Sequence, residues 1–180
     1  KMVPVLLILV AAMSMRLVCE HAGTPNYLAE LISDVHTMWV PLASFLVSAL
    51  VAFMTGSSWA TMGIMLPIVV PLAAVDMGPQ GVWLLASAAA VLDGAIFGDH
   101  CSPISDTTVM SSAAAGCPHD EHVVTQLPYA VTVMVAAAGF GYVGVSLGWW
   151  GALTALALAS VSLWLFLMLM GRPSVVQQTR

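Results

Sequence analysis

Charge is scarce in this chain, and positive charge scarcer still. Only 7% of its 180 residues are Asp, Glu, Lys or Arg, and the basic ones number four: Lys1, Arg16, Arg172 and Arg180. Soluble domains carry roughly 25% charged residues, so an ordinary water-facing surface is excluded. With so few cations there is no basic patch to hold a nucleic acid or an acidic substrate, and the net charge of −5 reflects acids scattered through apolar sequence. Cysteine is nearly as rare. Cys19, Cys101 and Cys117 are odd in number and lack metal-ligand spacing, which excludes a disulfide framework and leaves them as packing residues. No ten-residue window alternates apolar and polar residues as an outer-membrane barrel strand would.

What is abundant is hydrocarbon. Hydrophobic residues make up 60% of the chain, and the mean hydropathy is +0.97. In lipid every backbone polar group needs an internal partner, so the expected fold is an all-α integral membrane protein of several spans. Continuous spans are expected at Met2–Cys19, Thr37–Met54, Val123–Leu147 and Trp149–Met170, each near the roughly 20 residues a crossing takes. Lys1 followed by a short apolar run also fits a signal peptide, but the run continues to Cys19 and further spans follow. Because the chain opens on Lys1 rather than Met, it is expected to be the C-terminal portion of a longer chain. Residues 1–171 read as one transmembrane transporter domain, and 172–180 as a polar, disordered tail. Arg172 and Arg180 in that tail favour a cytoplasmic C-terminus.

Two regions fit a simple span badly: "MTGSSWATMGIMLPIVVPL", Met54–Leu72, and Gly81–Gly116, which contains "FGDHCSPISDTTVMSS". In both, an apolar run breaks at Gly, Ser and Thr and a shorter apolar run follows. A helix in lipid breaks only where protein or a water-filled cavity satisfies the freed N–H and C=O groups. Paired breaks of this kind mark transporters with discontinuous helices in an inverted-repeat fold, whose half-helix ends meet substrate near the midplane. No residue-by-residue self-similarity links the two breaks.

In the second break Gly98 reads as a helix stop and Ser102-Pro103 as a restart, with serine as N-cap and proline at the first helical position. Asp106 then lies near the first turn, where the helix dipole favours a carboxylate, and Asp99 falls in the break beside unpaired carbonyls, a setting for a hard cation such as sodium. Ser105, Thr108 and Ser112 form one polar stripe, suited to lining a pathway or to joining helices. An aspartate at membrane depth costs about 2.5–3.5 kcal/mol on insertion scales. The basic residues nearest in sequence are Arg16 and Arg172, so a purely structural role for Asp93, Asp99 and Asp106 is the weaker reading. Asp93, within the "GAIFG" spacing that suits close helix packing, reads as a relay or an interhelical bond. His100 reads equally as a proton relay or as a donor holding Asp99. A metal site is disfavoured, because adjacent Asp99, His100 and Cys101 point apart and only His119 and His122 share a helix face. The histidines' plain alternative is a solvated loop.

"FGDHCSPISDTTVMSS", followed by "AGCPHDEHVVTQLPYA", closely resembles the signature of NhaC-type Na+/H+ antiporters of the ion transporter superfamily, and "TGSSWATMGIMLPIVVPLA" resembles that family's serine-rich break. The resemblance runs from about Leu28 to Tyr129. The chain departs from the pattern at Ala113 and Ala114, where the family has threonine and glycine, at Pro118, where it has an acid, and at Val124, where it has an arginine. These departures bear on the loop's charge partners rather than on the ion site. The resemblance implies exchange of Na+ for H+ on a carboxylate that binds one or the other, in a multi-pass protein of the plasma or inner membrane. It makes the chain a secondary active transporter and not an enzyme, with no cofactor beyond the transported ions; the expected partners are Na+, H+ and membrane lipid, with no nucleic acid and with an oligomer left open. The expected cation and proton carriers are Asp99 and Asp106, with Ser102, Ser105 and Thr107 supplying oxygens and Ser57, Ser58 and Thr61 completing the site from the other break. Three alternatives stand beside this: an exchanger of organic substrates such as small carboxylates, a metal-dependent membrane enzyme, and a non-transporting scaffold.

Overall fold

The structure is a computed structural model that describes residues 2–23, 27, 30, 32, 35–77, 81–149 and 151–170. The described residues are mostly helical, with no strand among them. Helix α1 is Met2–His21. A 3-10 turn at Thr37–Trp39 leads into α2, Val40–Thr55, which carries proline in its first turn, where its missing N–H costs nothing. Then come α3, Ser58–Met77, α4, Val82–Cys101, and the short α5, Asp106–Ala115. Helix α6, His119–Ala136, continues through a π-helical stretch, Ala137–Val143, and a last turn, Gly144–Ser146. Helix α7 is Ala152–Met170. The tail expected at 172–180 lies outside the described residues.

Among the described residues three helices are long and apolar enough to cross a bilayer alone: Trp83–Cys101, His119–Ser146 and Ala152–Leu169. Two of these match expected spans. The span expected at Thr37–Met54 is instead the 16-residue helix α2, and residues 81–101, expected to break, form one of the full-length helices.

The reason lies in Gly98. It does not stop α4; it lets α4 press against α2. A Cβ on Gly94 would overlap the Phe45 carbonyl oxygen, and one on Gly98 would overlap that of Ala49. Two glycines four residues apart on one face bring the backbones together, as small-residue motifs do in membranes. Gly56 does different work. It closes α2 in the left-handed region at φ 64°, its N–H bonded to the Ala52 carbonyl, and a Cβ there would stand 2.7 Å from the Ile104 oxygen.

Helices α2, α3 and α4 form the core, around buried Ile32, Val40, Val51, Met65, Val69 and Val91. Pro67 and Pro71 sit inside a continuous α3. Helices α6 and α7 pack at the side, and Leu153, Leu156, Trp164 and Leu169 of α7 face outward, as a lipid-facing surface would.

Candidate functional site

Three helix ends meet at Asp99. The carboxylate sits in the last turn of α4, only 4% exposed. From the first turn of α3, Ser58 Oγ donates to Asp99 Oδ2 at 3.2 Å. From the start of α5, Ser105 Oγ donates to Oδ1 at 2.7 Å and Thr107 Oγ1 to Oδ2 at 3.3 Å, and these two hydroxyls lie 2.7 Å apart. Two helix N-termini thus turn their partial positive charge toward a buried carboxylate.

The local chemistry explains why these segments fold this way. Ser57 caps α3, its Oγ accepting from the Ala60 N–H at 3.3 Å. Ser105 occupies the N-cap position of α5 yet makes no cap bond with its side chain, because its hydroxyl is turned onto Asp99. The cap and the restart therefore lie three residues later than Ser102. Ser102 ends α4 instead, donating to the Phe53 carbonyl at 2.7 Å and accepting from Ile104 N–H at 3.3 Å. One hydroxyl thus satisfies a carbonyl at the end of α2 and a turn of the 102–105 loop.

Of the expected site residues, Asp99, Ser58, Ser105 and Thr107 come together. Ser57 caps its helix beside them, and Thr61, fully buried, bonds back to the Ser57 carbonyl at 2.9 Å. Asp106 stands exposed at the first position of α5, between Ser105 and Thr107. Asp99 lies on the last helical turn rather than in the break, because α4 runs on through Gly98 to Cys101.

Asp93 and His100 face elsewhere. Asp93 Oδ2 accepts from Tyr142 Oη at 2.6 Å, the interhelical bond expected of it, and His100 Nδ1 donates to the Ile96 carbonyl at 2.8 Å rather than to Asp99. Both line a cleft of about 550 Å³ between α4 and α6. Ser105, Thr108 and Ser112 are all buried, but only Ser105 reaches Asp99, and Ser112 bonds the Val109 carbonyl and His119. Among the described residues no three His, Cys, Asp or Glu side chains converge as a metal site.

Two arrangements were not foreseen. His119 is no loop residue; from the first turn of α6 it joins the Pro103 carbonyl at 2.7 Å and Ser112 Oγ at 3.2 Å, and His122 meets Ser111 Oγ at 3.3 Å. The histidines tie α6 to α5 and to the loop that carries Ser102. Tyr142, held in the π-helical stretch, stacks on Phe45 with ring centroids 4.8 Å apart. The i, i+3 pair His119 and His122 was the available signal for the first; nothing in the sequence near Tyr142 signals the second.

The profile of the Na+/H+ antiporter family matches residues 1–145. An uncharacterized protein of Haemophilus influenzae is 46% identical over 141 residues, covering 78% of this chain and 26% of that protein. An uncharacterized Na(+)/H(+) antiporter of the same organism is 34% identical, covering 68% of this chain and 26% of its own length. The Na(+)/H(+) antiporter NhaC of Alkalihalophilus pseudofirmus is 32% identical, covering 57% and 21%. The chain spans about a quarter of the length of these curated relatives. No solved structure matches it. With most of its length inside that profile and helices fit to cross a bilayer, this integral protein of the cell membrane belongs to the Na+/H+ antiporter family.

Proposed function

We propose that Asp99 is the group on which Na+ and H+ compete, and that the protein exchanges one for the other by alternating access. The observation that carries this is a nearly buried carboxylate ringed by hydroxyls from two other helix ends. Carboxylate and hydroxyl oxygens suit a hard cation. Each hydroxyl that now donates to Asp99 can swing its hydrogen aside and offer a lone pair instead. A protonated Asp99 has lost the charge that holds the ion, so one site carries either a proton or a sodium ion, which is the requirement of antiport.

Asp106, exposed beside Ser105 and Thr107, is the outer carboxylate that draws the cation toward the site. The interruptions at 56–57 and 102–105 are the discontinuities of an inverted-repeat fold, where irregular backbone lines the ion's route. Ser57, Ser102 and Thr61 shape these turns rather than touch the ion.

The test uses the full-length protein in everted vesicles lacking other antiporters, with a dye reporting proton movement when NaCl or KCl is added. Sodium-specific proton movement in the wild type, lost in Asp99→Asn and retained in part by Asp106→Asn, is expected. A sodium response that survives Asp99→Asn would exclude this site, and no response in well-inserted wild-type protein would exclude sodium–proton exchange and turn attention to organic carboxylates.

A further inference from the structure

The cleft between α4 and α6 has no part in the Asp99 cluster. One stripe of α4 forms its wall, Asp93, Phe97 and His100 at i, i+4 and i+7, with Gln126 and Tyr129 of α6 opposite and Phe45 of α2 at its back. A bare sodium ion or a proton needs nothing near 550 Å³. The cleft is scaled for an organic molecule of a few carbons.

Among the described residues its lining holds one carboxylate, Asp93, and no cation. Asp93 accepts the Tyr142 hydroxyl at Oδ2, and no bond occupies Oδ1 among the described residues. Gln126 Oε1 is shielded from solvent and has no hydrogen-bond partner among the described residues. An enclosed carbonyl without a donor is a costly feature unless a ligand supplies one. His100 Nδ1 sits 2.8 Å from the Ile96 carbonyl, which can only accept, so Nδ1 carries the hydrogen and Nε2 of the neutral ring is a lone pair. Asp93 Oδ1, Gln126 Oε1 and His100 Nε2 can therefore each accept from a ligand, and no Lys or Arg is among the described residues that line the cleft. The remaining walls are rings. Phe45, Phe97 and Tyr129 are among the lining residues, aromatic rings attract a cation with a weak hydration shell, and Phe45 is braced by its stacking on Tyr142.

We propose that this cleft binds a small organic ammonium ion, its charged head bonded to Asp93 and Gln126 and its carbon chain laid against the rings of Phe45 and Phe97. The site is separate from Asp99: the two lie on different faces of α4 and share no lining residue. It gives the protein a place for an amine-bearing solute beside its inorganic ion, as a second cargo or as a regulator of the exchange.

The probe is butylammonium chloride, added to the purified full-length protein in detergent, with thermal unfolding as the readout and KCl at equal ionic strength as the baseline. A ligand that binds only the folded state raises the unfolding temperature in proportion to its occupancy. Butylammonium is expected to raise it in wild type and in Asp99→Asn. In Asp93→Asn and Gln126→Leu the apparent affinity is expected to fall by about tenfold or more, the loss of a charge-assisted bond. Butanol and sodium butyrate should leave the unfolding temperature near baseline in Asp99→Asn. Tyr142→Phe keeps the carboxylate while removing its partner, so it should still respond and guards against misfolding in Asp93→Asn. No butylammonium shift in wild type, an equal shift in folded Asp93→Asn, or an equal shift with butanol would overturn the proposal. A sodium-dependent shift lost in Asp99→Asn and kept in Asp93→Asn reports on the exchange site alone, so either site can fail without the other.

Discussion

A serine at the start of a helix ordinarily bonds the helix's own free N–H groups, and its loss costs about 1 kcal/mol. Ser105 forgoes that bond and gives its hydroxyl to Asp99 at 2.7 Å. We expect Ser105→Ala to raise the sodium concentration for half-maximal exchange by about tenfold, the effect of losing one hydrogen bond to a charged group, and to lower thermal stability as well. Ser102→Ala should separate the two readouts. It removes a bond to the Phe53 carbonyl and lowers stability by about 1 kcal/mol, with the sodium dependence unchanged, as dye-reported exchange and thermal unfolding of the two variants would reveal. The sequence offered both serines as oxygen donors, and Ser102-Pro103 has the stronger start signal, yet the helix begins at Asp106. Which serine caps and which faces the carboxylate is decided by Phe53 and Asp99, residues on other helices, and a local pattern carries no record of them.

Helix α4 owes its seat to Gly94 and Gly98, each pressed on a carbonyl of α2. Gly98→Val has no room, since the obstacles are backbone atoms that cannot turn aside, and we expect it to abolish a monodisperse peak in size-exclusion chromatography. Gly63→Ala, in open space on α3, should leave that peak intact. The spacing of Gly94 and Gly98 was legible as a packing motif, but Gly98 was equally legible as a helix stop, because glycine serves both ends and only its neighbour selects one. The π-helical stretch at Ala137–Val143 was not legible at all. Its wider winding has no residue signature, and its effect is to set Tyr142 against Asp93. Tyr142→Phe should therefore lower the unfolding free energy by about 1–2 kcal/mol and leave sodium-driven proton movement in place.

The membrane class and helical fold followed from composition alone, since a chain with 7% charged residues has no other solvent than lipid. Helix α7 shows that solvent most plainly, with Leu156 66% exposed on a helix otherwise without charge. Leu156→Arg should cost about 2.5–3.5 kcal/mol of insertion and move a measurable share of the protein into the alkaline-carbonate-soluble fraction, where Leu156→Phe stays in the pellet. What composition does not convey is that the three hydroxyls on Asp99 have two owners. Ser58 belongs to α3, while Ser105 and Thr107 belong to α5, and no short segment of chain joins the two helices. On the proposed reading, an ion seated among them works as a clasp. Tilt α3 away from α5 and the coordination shell loses a member; fill the shell and the two helices are drawn shut. In such a molecule, the occupant of the site and the angle between its helices are one variable, so a loaded and an empty transporter need no separate messenger to tell them apart.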